Sequence, residues 1–319
     1  MPFDKHFTIP QWLDKIIFDQ FEAIYEPRPM DVVYNPDQSF EFVKVYLGTY
    51  FPRSYAEAYG IISQLFSNNT YSKHFQEIEE INVLDFCCGT GGEIIGCIDV
   101  LLSNLPHLKR INIDAFDANP DAVRYLYHLI DAINQLEETS VEININPQCI
   151  FIASEQEIQD IVNLSNLQYH FVMSFKAINE FIQHKTFCDA NPYELIASHL
   201  FPLMSPDGVF IMTDVTTQLD NSTQYYPQVL NKGLNSYLNK TSSYKSIIPT
   251  ACYNHESKCQ GCYMQDVFYV SHRKTNNDRS KIAYRVLCRS SFADELLNNT
   301  PVKPCRATNP FADKNLPYK

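Results

Sequence analysis

A carboxylate followed by closely spaced glycines is the feature of this sequence best suited to bind a ligand. The run from Val83 to Gly92 reads VLDFCCGTGG, with Asp85 directly after an apolar stretch. Because glycine has no Cβ, a turn of this kind lets backbone N–H groups and the start of a helix come close to a ligand. The run therefore predicts a strand, a cofactor-binding turn and then a helix.

A second acidic group follows the next apolar stretch. Asp117 and Ala118 stand directly before Asn119 and Pro120, which are typical of a helix cap and a first helical residue. A carboxylate at the carboxyl end of a parallel strand can accept hydrogen bonds from both hydroxyls of a ribose. The alternative is that Asp117 only helps to cap the following helix.

The glycine spacing excludes one cofactor class and favours another. A nicotinamide dinucleotide fingerprint would need glycines at positions 89, 91 and 94, but position 94 is Ile. The order of acid and glycines resembles the first motif of class I S-adenosylmethionine-dependent methyltransferases. The resemblance implies S-adenosylmethionine as the cofactor, with the acid near its amino-acid end and the glycines beside its adenosine. The candidate binding residues here are Asp85, Cys87, Gly89, Thr90, Gly91, Asp117 and Ala118.

Polar residues after two later apolar runs complete the candidate site. Ser154 follows the third predicted strand, where such folds place a polar group near the adenine; an ordinary turn is the alternative. Ser174, Lys176 and Asn179 follow the fourth strand, where the methyl group would be presented, so they are the candidates for the reaction face. Ser174 is also a candidate cofactor contact. Lys176 could equally be a solvated helix residue.

The elements that must position these residues belong to an α/β fold. From residue 81 onward, short apolar runs alternate with amphipathic segments, which is typical of βαβ units and a parallel sheet. The resemblance implies a seven-stranded, mostly parallel Rossmann-like methyltransferase sheet with helices on both faces. The predicted strands cover residues 81–84, 111–116, 149–153, 170–175, 209–213, 266–272 and 282–289, with a polar turn at 275–280.

The same patterns predict three regions. Residues 8 to about 70 repeat apolar positions at helical spacing, which predicts an N-terminal helical cap over residues 1–78. Residues 79–298 form the predicted methyltransferase domain, with an insertion at about 215–265. Residues 299–319 contain four prolines and are expected to be a loosely ordered tail.

Four cysteines form a candidate metal site. Cys252, Cys259 and Cys262 lie in the insertion with the spacing C-x6-C-x2-C, and Cys288 ends the seventh predicted strand. Three or four thiolates suit zinc or an iron–sulfur cluster, and His255 could replace Cys288. The alternatives are free thiols, some of them in the core, and a redox pair formed by Cys259 and Cys262.

A fainter resemblance covers about residues 45 to 290. The run YFPRSYAEA from Tyr50 to Ala58 resembles the Arg-x-x-Tyr-Ala segment of the methyltransferase-like proteins of mitochondrial small-ribosomal-subunit assembly and their bacterial relatives. The late cysteines and the run from Asp266 to Arg273 resemble that family's cysteine segment and following strand. Phe268 stands where the family has a cysteine. The resemblance implies ribosomal RNA as the methyl acceptor, or a role in assembly without catalysis.

The composition and net charge limit the classes of partner that the protein is expected to bind. The hydrophobic content of 45% with 19% charged residues indicates a folded chain, and the formal net charge of −12 argues against a broad electrostatic grip on nucleic acid. A small molecule or a peptide is therefore the alternative acceptor. No apolar run is long enough to span a membrane and the start lacks a signal peptide, so the cytoplasm is the expected compartment.

Overall fold

The computed structural model describes residues 5–27, 40–136, 140–187, 190–253 and 265–297. Within these ranges the strands are β1 (His6–Thr8), β2 (Glu80–Phe86), β3 (Arg110–Asp117), β4 (Glu142–Cys149), β5 (Tyr169–Phe175), β6 (Met204–Val215), β7 (Tyr244–Ile248), β8 (Asp266–His272) and β9 (Thr275–Arg289).

The helices of the described ranges are α1 (Gln11–Lys15), α2 (Phe40–Phe66), α3 (Asn69–His74), α4 (Gly92–Asn104), α5 (Pro120–Asn134), α6 (Glu155–Leu164), α7 (Ile178–Gln183), α8 (Pro192–Leu200), α9 (Tyr226–Thr241) and α10 (Ser290–Leu297). A π-helical turn, Ile16–Gln20, continues α1, and 3-10 turns occupy Phe201–Leu203 and Thr250–Cys252.

The strands form one mixed sheet in the order β1-β8-β9-β6-β5-β2-β3-β4, and β7 also pairs with β9. β3 and β4 are parallel, as are β5 and β6, whereas β9 runs antiparallel to β6. Five strands, β2 to β6, followed by a closing β8–β9 pair make up the expected methyltransferase sheet. The fold class is therefore confirmed, but the sheet has nine strands because β1 and β7 are added to the expected seven.

Contacts divide the chain into two compact units. The first comprises Met1–Ile81, Asp85–Phe151 and Val267–Ser280, and the second comprises Asn82–Leu84, Ile152–Asp266 and Lys281–Lys319. In the first unit α2 packs closely on α4, the helix that follows the glycine-rich turn. A Cβ on Gly92 would lie 2.4 Å from the Phe51 carbonyl oxygen, and one on Gly96 would lie 2.5 Å from that of Tyr55. The two helices can approach this closely because both positions lack a side chain.

β4 is the last strand of the sheet, and its free edge is blocked. The Asn134 side chain accepts a hydrogen bond from the Ile143 N–H (3.2 Å) and donates one to the Ile143 carbonyl (2.8 Å). Two residues beyond Ile145, Pro147 has no N–H to offer a further strand. An edge with occupied or missing donors resists pairing with another chain.

The third strand was predicted in the wrong place. It covers Glu142–Cys149, whereas the prediction placed it at 149–153 on the apolar run CIFIA. An edge strand with one solvent-exposed face alternates polar and apolar residues, so the continuous apolar run was the wrong signal. In β4 the Ile143 side chain is buried, while Asn144 and Asn146 are exposed.

Other predicted boundaries also change. The polar segment 275–280 is the start of β9, and the turn before it lies at Arg273 and Lys274. The N-terminal region is only partly helical, because residues 21–27 form a non-helical segment, which α2 holds through the hydrogen bond from Ile24 N–H to Lys44 O (2.9 Å). The insertion contains α9 and β7, so it contributes a strand to the sheet. The predicted tail lies outside the described residues.

A bilayer-spanning segment would need a long, apolar helix, and the described part of the chain contains no such helix.

Candidate cofactor site

The turn between β2 and α4 has an alternating left-handed backbone. Cys87, Gly89 and Gly91 have φ angles of 62°, 51° and 80°. Two backbone hydrogen bonds fix the turn, from Cys88 N–H to Phe116 O (2.9 Å) and from Gly91 N–H to Cys88 O (2.8 Å). A left-handed conformation at Cys87, which is not glycine, is strained, and such strain is often found at ligand-binding turns.

Gly89 and Gly91 are needed for different reasons. A Cβ on Gly91 would lie 2.4 Å from Leu126 Cδ1, so packing against α5 excludes a side chain there. A Cβ on Gly89 would meet no atom within 4 Å, so the space in front of this residue is open. The positive φ explains glycine at position 89, and the open space is where a ligand can approach the backbone.

Asp117 joins this turn to the end of β3. Its Oδ2 accepts a hydrogen bond from the Gly89 N–H and its Oδ1 accepts one from the Asn119 N–H, both at 2.8 Å. Burial raises the pKa of Asp117, and these N–H donors act in the opposite direction. The side chain is half-exposed, so it can accept further hydrogen bonds from a ligand. The cap of α5 is Asn119, not Asp117.

Asp85 is a fully buried carboxylate at the end of β2. Neither of its oxygens has a hydrogen-bond partner within the described residues. Burial raises the pKa of Asp85 well above its usual range, and the nearby Glu93 and Asp117 carboxylates raise it further. A buried carboxyl group without donors is costly, and a cationic or hydrogen-donating ligand would remove that cost.

The end of β4 supplies contacts that sequence reasoning missed. Cys149 Sγ donates a hydrogen bond to Ala118 O (3.4 Å), and the Ile150 N–H donates one to Asp117 O (2.8 Å). Phe151 follows and is 62% exposed, which is unusual for an aromatic side chain. Placing the third strand at 149–153 hid this residue, since it assigned Phe151 to a strand interior.

The predicted adenine contact, Ser154, has a structural role in the second unit. It caps α6: its hydroxyl accepts a hydrogen bond from Gln156 N–H (3.2 Å) and donates one to Glu157 Oε2 (2.7 Å). Glu157 in turn accepts one from the Ser154 N–H (2.7 Å), which completes a capping box. A contact between Ser154 and a cofactor stays a prediction.

The three candidates for the reaction face differ in exposure. Ser174 is fully buried in β5 and its hydroxyl has no hydrogen-bond partner in the described ranges. Lys176 is half-exposed, has a φ of 55° and donates its N–H to Thr213 O (3.1 Å). Asn179 is half-exposed as well, and its backbone N–H donates to Asp214 Oδ2 (2.9 Å). Lys176 and Asn179 are therefore both more accessible than Ser174.

The sequence analysis overlooked Asp214 and Tyr193. The Tyr193 hydroxyl donates to Asp214 Oδ2 (2.7 Å), and both side chains are fully buried. Burial raises the pKa of Asp214 to about 7. A signal was present in the sequence, since Asp214 follows an apolar strand just as Asp85 and Asp117 do.

The candidate metal ligands are only partly described. Cys259 and Cys262 lie outside the described residues, as does His255. Cys252 is half-buried and its Sγ accepts a hydrogen bond from the Arg285 guanidinium, whereas Cys288 is fully buried in β9 beside Val209 of β6 and Lys245 of β7. Within the described part of the chain, no three His, Cys, Asp or Glu side chains are grouped to hold a metal ion.

No model of a known protein family and no curated protein matches this chain. Three similar solved structures have TM-scores of 0.40 or less. Magnesium protoporphyrin IX methyltransferase from Synechocystis PCC 6803 with bound SAM is 12% identical, with a TM-score of 0.40 over 86% of this chain and 93% of that chain. The rRNA methyltransferase aviRa from Streptomyces viridochromogenes is 10% identical, with a TM-score of 0.38 over 77% and 88%. The plantazolicin methyltransferase BpumL in complex with SAH is 12% identical, with a TM-score of 0.35 over 96% and 89%.

Similarity at this level identifies neither an activity nor a substrate. The strand order of the chain itself decides the fold, because β2 to β6 are followed by a pair in which β9 lies antiparallel beside β6. The chain has the class I methyltransferase fold. In open α/β sheets ligands bind beyond the carboxyl ends of the strands where the strand order reverses. That point in this sheet is β2, which ends in Asp85 and the glycine-rich turn.

Proposed function

We propose that this protein is an S-adenosylmethionine-dependent methyltransferase. The observation that carries the proposal is the buried Asp85 carboxyl group, which lacks a donor among the described residues and lies at the start of a turn with open space at Gly89. S-Adenosylmethionine has an ammonium and a sulfonium group, which can supply the positive charge that a buried carboxylate needs. Asp117 would accept hydrogen bonds from the ribose hydroxyls.

The remaining cofactor contacts come from this turn and from the residues that follow β3 and β4. Cys87, Thr90 and Gly91 of the turn, and Ala118 after β3, would line the cofactor through their backbone, as the resemblance implies. Phe151 would offer its exposed ring to the adenine, since aromatic rings stack on planar bases. Ser154 and Ser174 are the weaker proposals, because the hydroxyl of one caps a helix and the other side chain is buried.

The cofactor supplies an activated methyl group, so the protein's contribution is chiefly orientation and exclusion of water. Lys176 would face the methyl acceptor at the end of β5, where its half-exposed side chain can contact a bound molecule. Ser174 and Asn179 would support this end of the strand from inside. We assign catalytic contact with the acceptor to Lys176 first.

Calorimetric titration with S-adenosylhomocysteine tests the cofactor assignment without needing an acceptor. We expect one site per chain with a dissociation constant in the micromolar range, about 1–100 μM. The absence of binding at about 1 mM ligand would overturn the proposal, since that limit leaves less than roughly 4 kcal/mol of binding free energy.

The acceptor is proposed from two opposing arguments. Ribosomal RNA follows from the resemblance to the ribosome-assembly proteins, whereas the net charge of −12 favours a small molecule or a peptide. Binding of labelled RNA at low and high salt separates the two. Affinity that falls steeply with added salt supports RNA, and no binding at low salt supports the alternative.

A role as a cofactor-binding assembly factor without catalysis is the second candidate function. It is favoured by the burial of Ser174 and by the hydrogen bonds that Asn179 makes to Asp214, which leave few side chains of the predicted reaction face to contact an acceptor. Labelled S-adenosylmethionine can be incubated with lysate of a strain that lacks the gene, with and without the purified protein. Labelling of an RNA, protein or small-molecule fraction that requires the added protein supports catalysis, and its absence supports the assembly role.

A zinc or iron–sulfur site remains a separate proposal that depends on Cys259 and Cys262. Cys288 fits poorly as a ligand, because it is fully buried in β9. Elemental analysis of protein purified without chelator tests the site. We expect about one zinc per chain if Cys252, Cys259 and Cys262 act together, and freely titratable thiols with no metal would rule it out.

A further inference from the structure

Asp214 lies at the centre of a hydrogen-bond network in the second unit. Its Oδ2 accepts hydrogen bonds from the Asn179 N–H (2.9 Å) and the Tyr193 hydroxyl (2.7 Å). Its Oδ1 accepts one from the Val215 N–H (2.7 Å). The Asn179 amide nitrogen is oriented to donate to Asp214 Oδ1 (2.8 Å) and Lys176 O (2.9 Å), because this orientation gives both acceptors a donor. The roughly four acceptor positions of a carboxylate are therefore occupied.

This set of donors requires the ionised form of Asp214. Protonation leaves the carboxyl group one acceptor position short of its four donors, so one donor must be released or, at the Tyr193 hydroxyl, reversed in direction. Burial has the largest effect on Asp214 and raises its pKa to about 7, while Tyr193, the backbone donors and Lys176 lower it. The complete network is thus lost when Asp214 takes up a proton near neutral pH.

The neighbouring titratable groups come from three elements. Tyr193 of α8 and Tyr226 of α9 lie close to Asp214, and burial raises the pKa of both hydroxyls above their usual value. Lys176, from the turn before α7, contributes a positive charge. Neither tyrosine ionises near neutral pH, so Asp214 is the member of this set that titrates there.

The network fixes the backbone of Lys176. This residue has a φ of 55°, a left-handed conformation that is unfavourable for a side chain with a Cβ. Its N–H is held by Thr213 O (3.1 Å) and its carbonyl by the Asn179 amide (2.9 Å). Asp214 binds the same Asn179 at two atoms. Surrounding hydrogen bonds of this kind are what keeps a strained residue in place.

We infer that Asp214 is a positioning residue that holds Lys176 at the carboxyl end of β5 for methyl transfer. This inference rests on the function proposed above, because Lys176 is assigned there to the reaction face. Asp214 acts through Asn179 and touches neither cofactor nor acceptor. Its ionised form fixes the turn, and its protonation releases one of the four donors and loosens the turn. Methyl transfer therefore falls on the acid side of neutral pH whatever the acceptor.

Hydrogen–deuterium exchange of the full chain tests the positioning step. Peptides covering residues 174–183 are followed from about pH 5.5 to 8.5, with rates corrected for chemical exchange. In native protein we expect protection of the Lys176 and Asn179 amides to fall about tenfold below a midpoint near neutral pH, as a lost buried hydrogen bond implies. Asp214→Asn should lose this protection at every pH, whereas Asp160→Asn, at an exposed acid of α6, should behave as native protein.

The Tyr193→Phe variant tests whether the ionised form of Asp214 holds the Lys176 turn or whether Asp214 has only a structural role. It removes one donor to the carboxylate but no charge, so the pKa of Asp214 should rise and the exchange midpoint should move to higher pH. A structural defect would instead lower protection equally across the pH range. Native protection that does not depend on pH, Asp214→Asn with native protection, or an unmoved midpoint in Tyr193→Phe would overturn the inference.

Two further readouts connect the turn to the reaction. The affinity for S-adenosylhomocysteine should be unchanged in Asp214→Asn, and the initial rate of label transfer from S-adenosylmethionine into cell lysate should fall at least about tenfold. A normal transfer rate in the variant would overturn the inference. Failure of native protein to bind S-adenosylhomocysteine would instead overturn the proposed function, and the exchange profile would still decide whether Asp214 holds the turn.

Discussion

The backbone N–H of Gly89 donates a hydrogen bond to Asp117 Oδ2 over 2.8 Å. This bond joins the turn after β2 to the end of β3. It therefore fixes the turn that follows Asp85 relative to Asp117. Gly89 also faces open space, whereas the glycines that follow it are packed against other elements. The open side of the turn and its anchor are therefore adjacent.

Replacing Asp117 should weaken cofactor binding more than it weakens the fold. Asp117→Ala removes the proposed ribose acceptor and the anchor of Gly89, which should cost about 1.5–3 kcal/mol of binding free energy, roughly 10- to 150-fold in affinity. Calorimetry with S-adenosylhomocysteine measures the change. Asp131→Ala, at an exposed acid of α5, is the control and should bind as native protein. Equal affinity in the two variants would exclude the ribose role.

Gly89 and Gly92 should respond oppositely to the same substitution. Gly89→Ala places a Cβ in the open space at a positive φ, so binding should be lost while stability falls by only about 1–2 kcal/mol. Gly92→Ala forces a Cβ against the Phe51 carbonyl and should destabilise the fold by about 1–3 kcal/mol or more. Urea unfolding and ligand titration of both variants check this. A Gly89→Ala variant with native affinity would show that the open space is not the cofactor site.

Binding should release a proton from Asp85. Its pKa is raised by burial in the free protein, and a ligand ammonium would lower it, so affinity should increase with pH. Calorimetry in two buffers with different ionisation enthalpies measures the released proton. Asp85→Asn should bind S-adenosylhomocysteine weakly and without proton release. Proton release that is unchanged in this variant would assign the effect to another group.

The same residue should affect stability in a pH-dependent manner. A carboxyl group whose folded pKa exceeds its unfolded value binds more protons when folded, so it makes the free energy of unfolding fall as pH rises above about 4. In Asp85→Asn the free energy of unfolding should therefore fall less steeply between about pH 4 and 8. Some decline remains, because the pKa of Asp214 is also raised. Urea unfolding across this range measures both slopes, and equal slopes would contradict the raised pKa of Asp85.

Sequence reasoning could select the candidate site because its signals are local. Asp85 and Asp117 each follow an apolar strand, and the glycine spacing between positions 89 and 92 is visible without a structure. Asp214 also follows an apolar strand, but its role was not visible, because its partners Asn179 and Tyr193 come from separate helices and meet only in the folded chain.

Edge strands were the other limit of prediction. β4 alternates polar and apolar residues in a sequence that contains proline, and β1 has only three residues, so neither gives a strong strand signal. The error at β4 also concealed Phe151, since a residue's exposure after a strand depends on where that strand ends. The position of such a weak edge strand is decided by its pairing with a neighbouring strand that is distant in the sequence.

Removing Asn134 should open the edge of β4. Its side chain occupies both the N–H and the carbonyl of Ile143, so Asn134→Ala exposes an unpaired donor and acceptor beside the proline-interrupted edge. We expect a loss of about 1–2 kcal/mol in the free energy of unfolding and concentration-dependent self-association, measured by urea unfolding and sedimentation velocity. Gln135→Ala, at the next residue, removes only an exposed bond to Asp131 and serves as the control. If Asn134→Ala sediments as native protein and unfolds at the same urea concentration, the Asn134 side chain does not protect this edge.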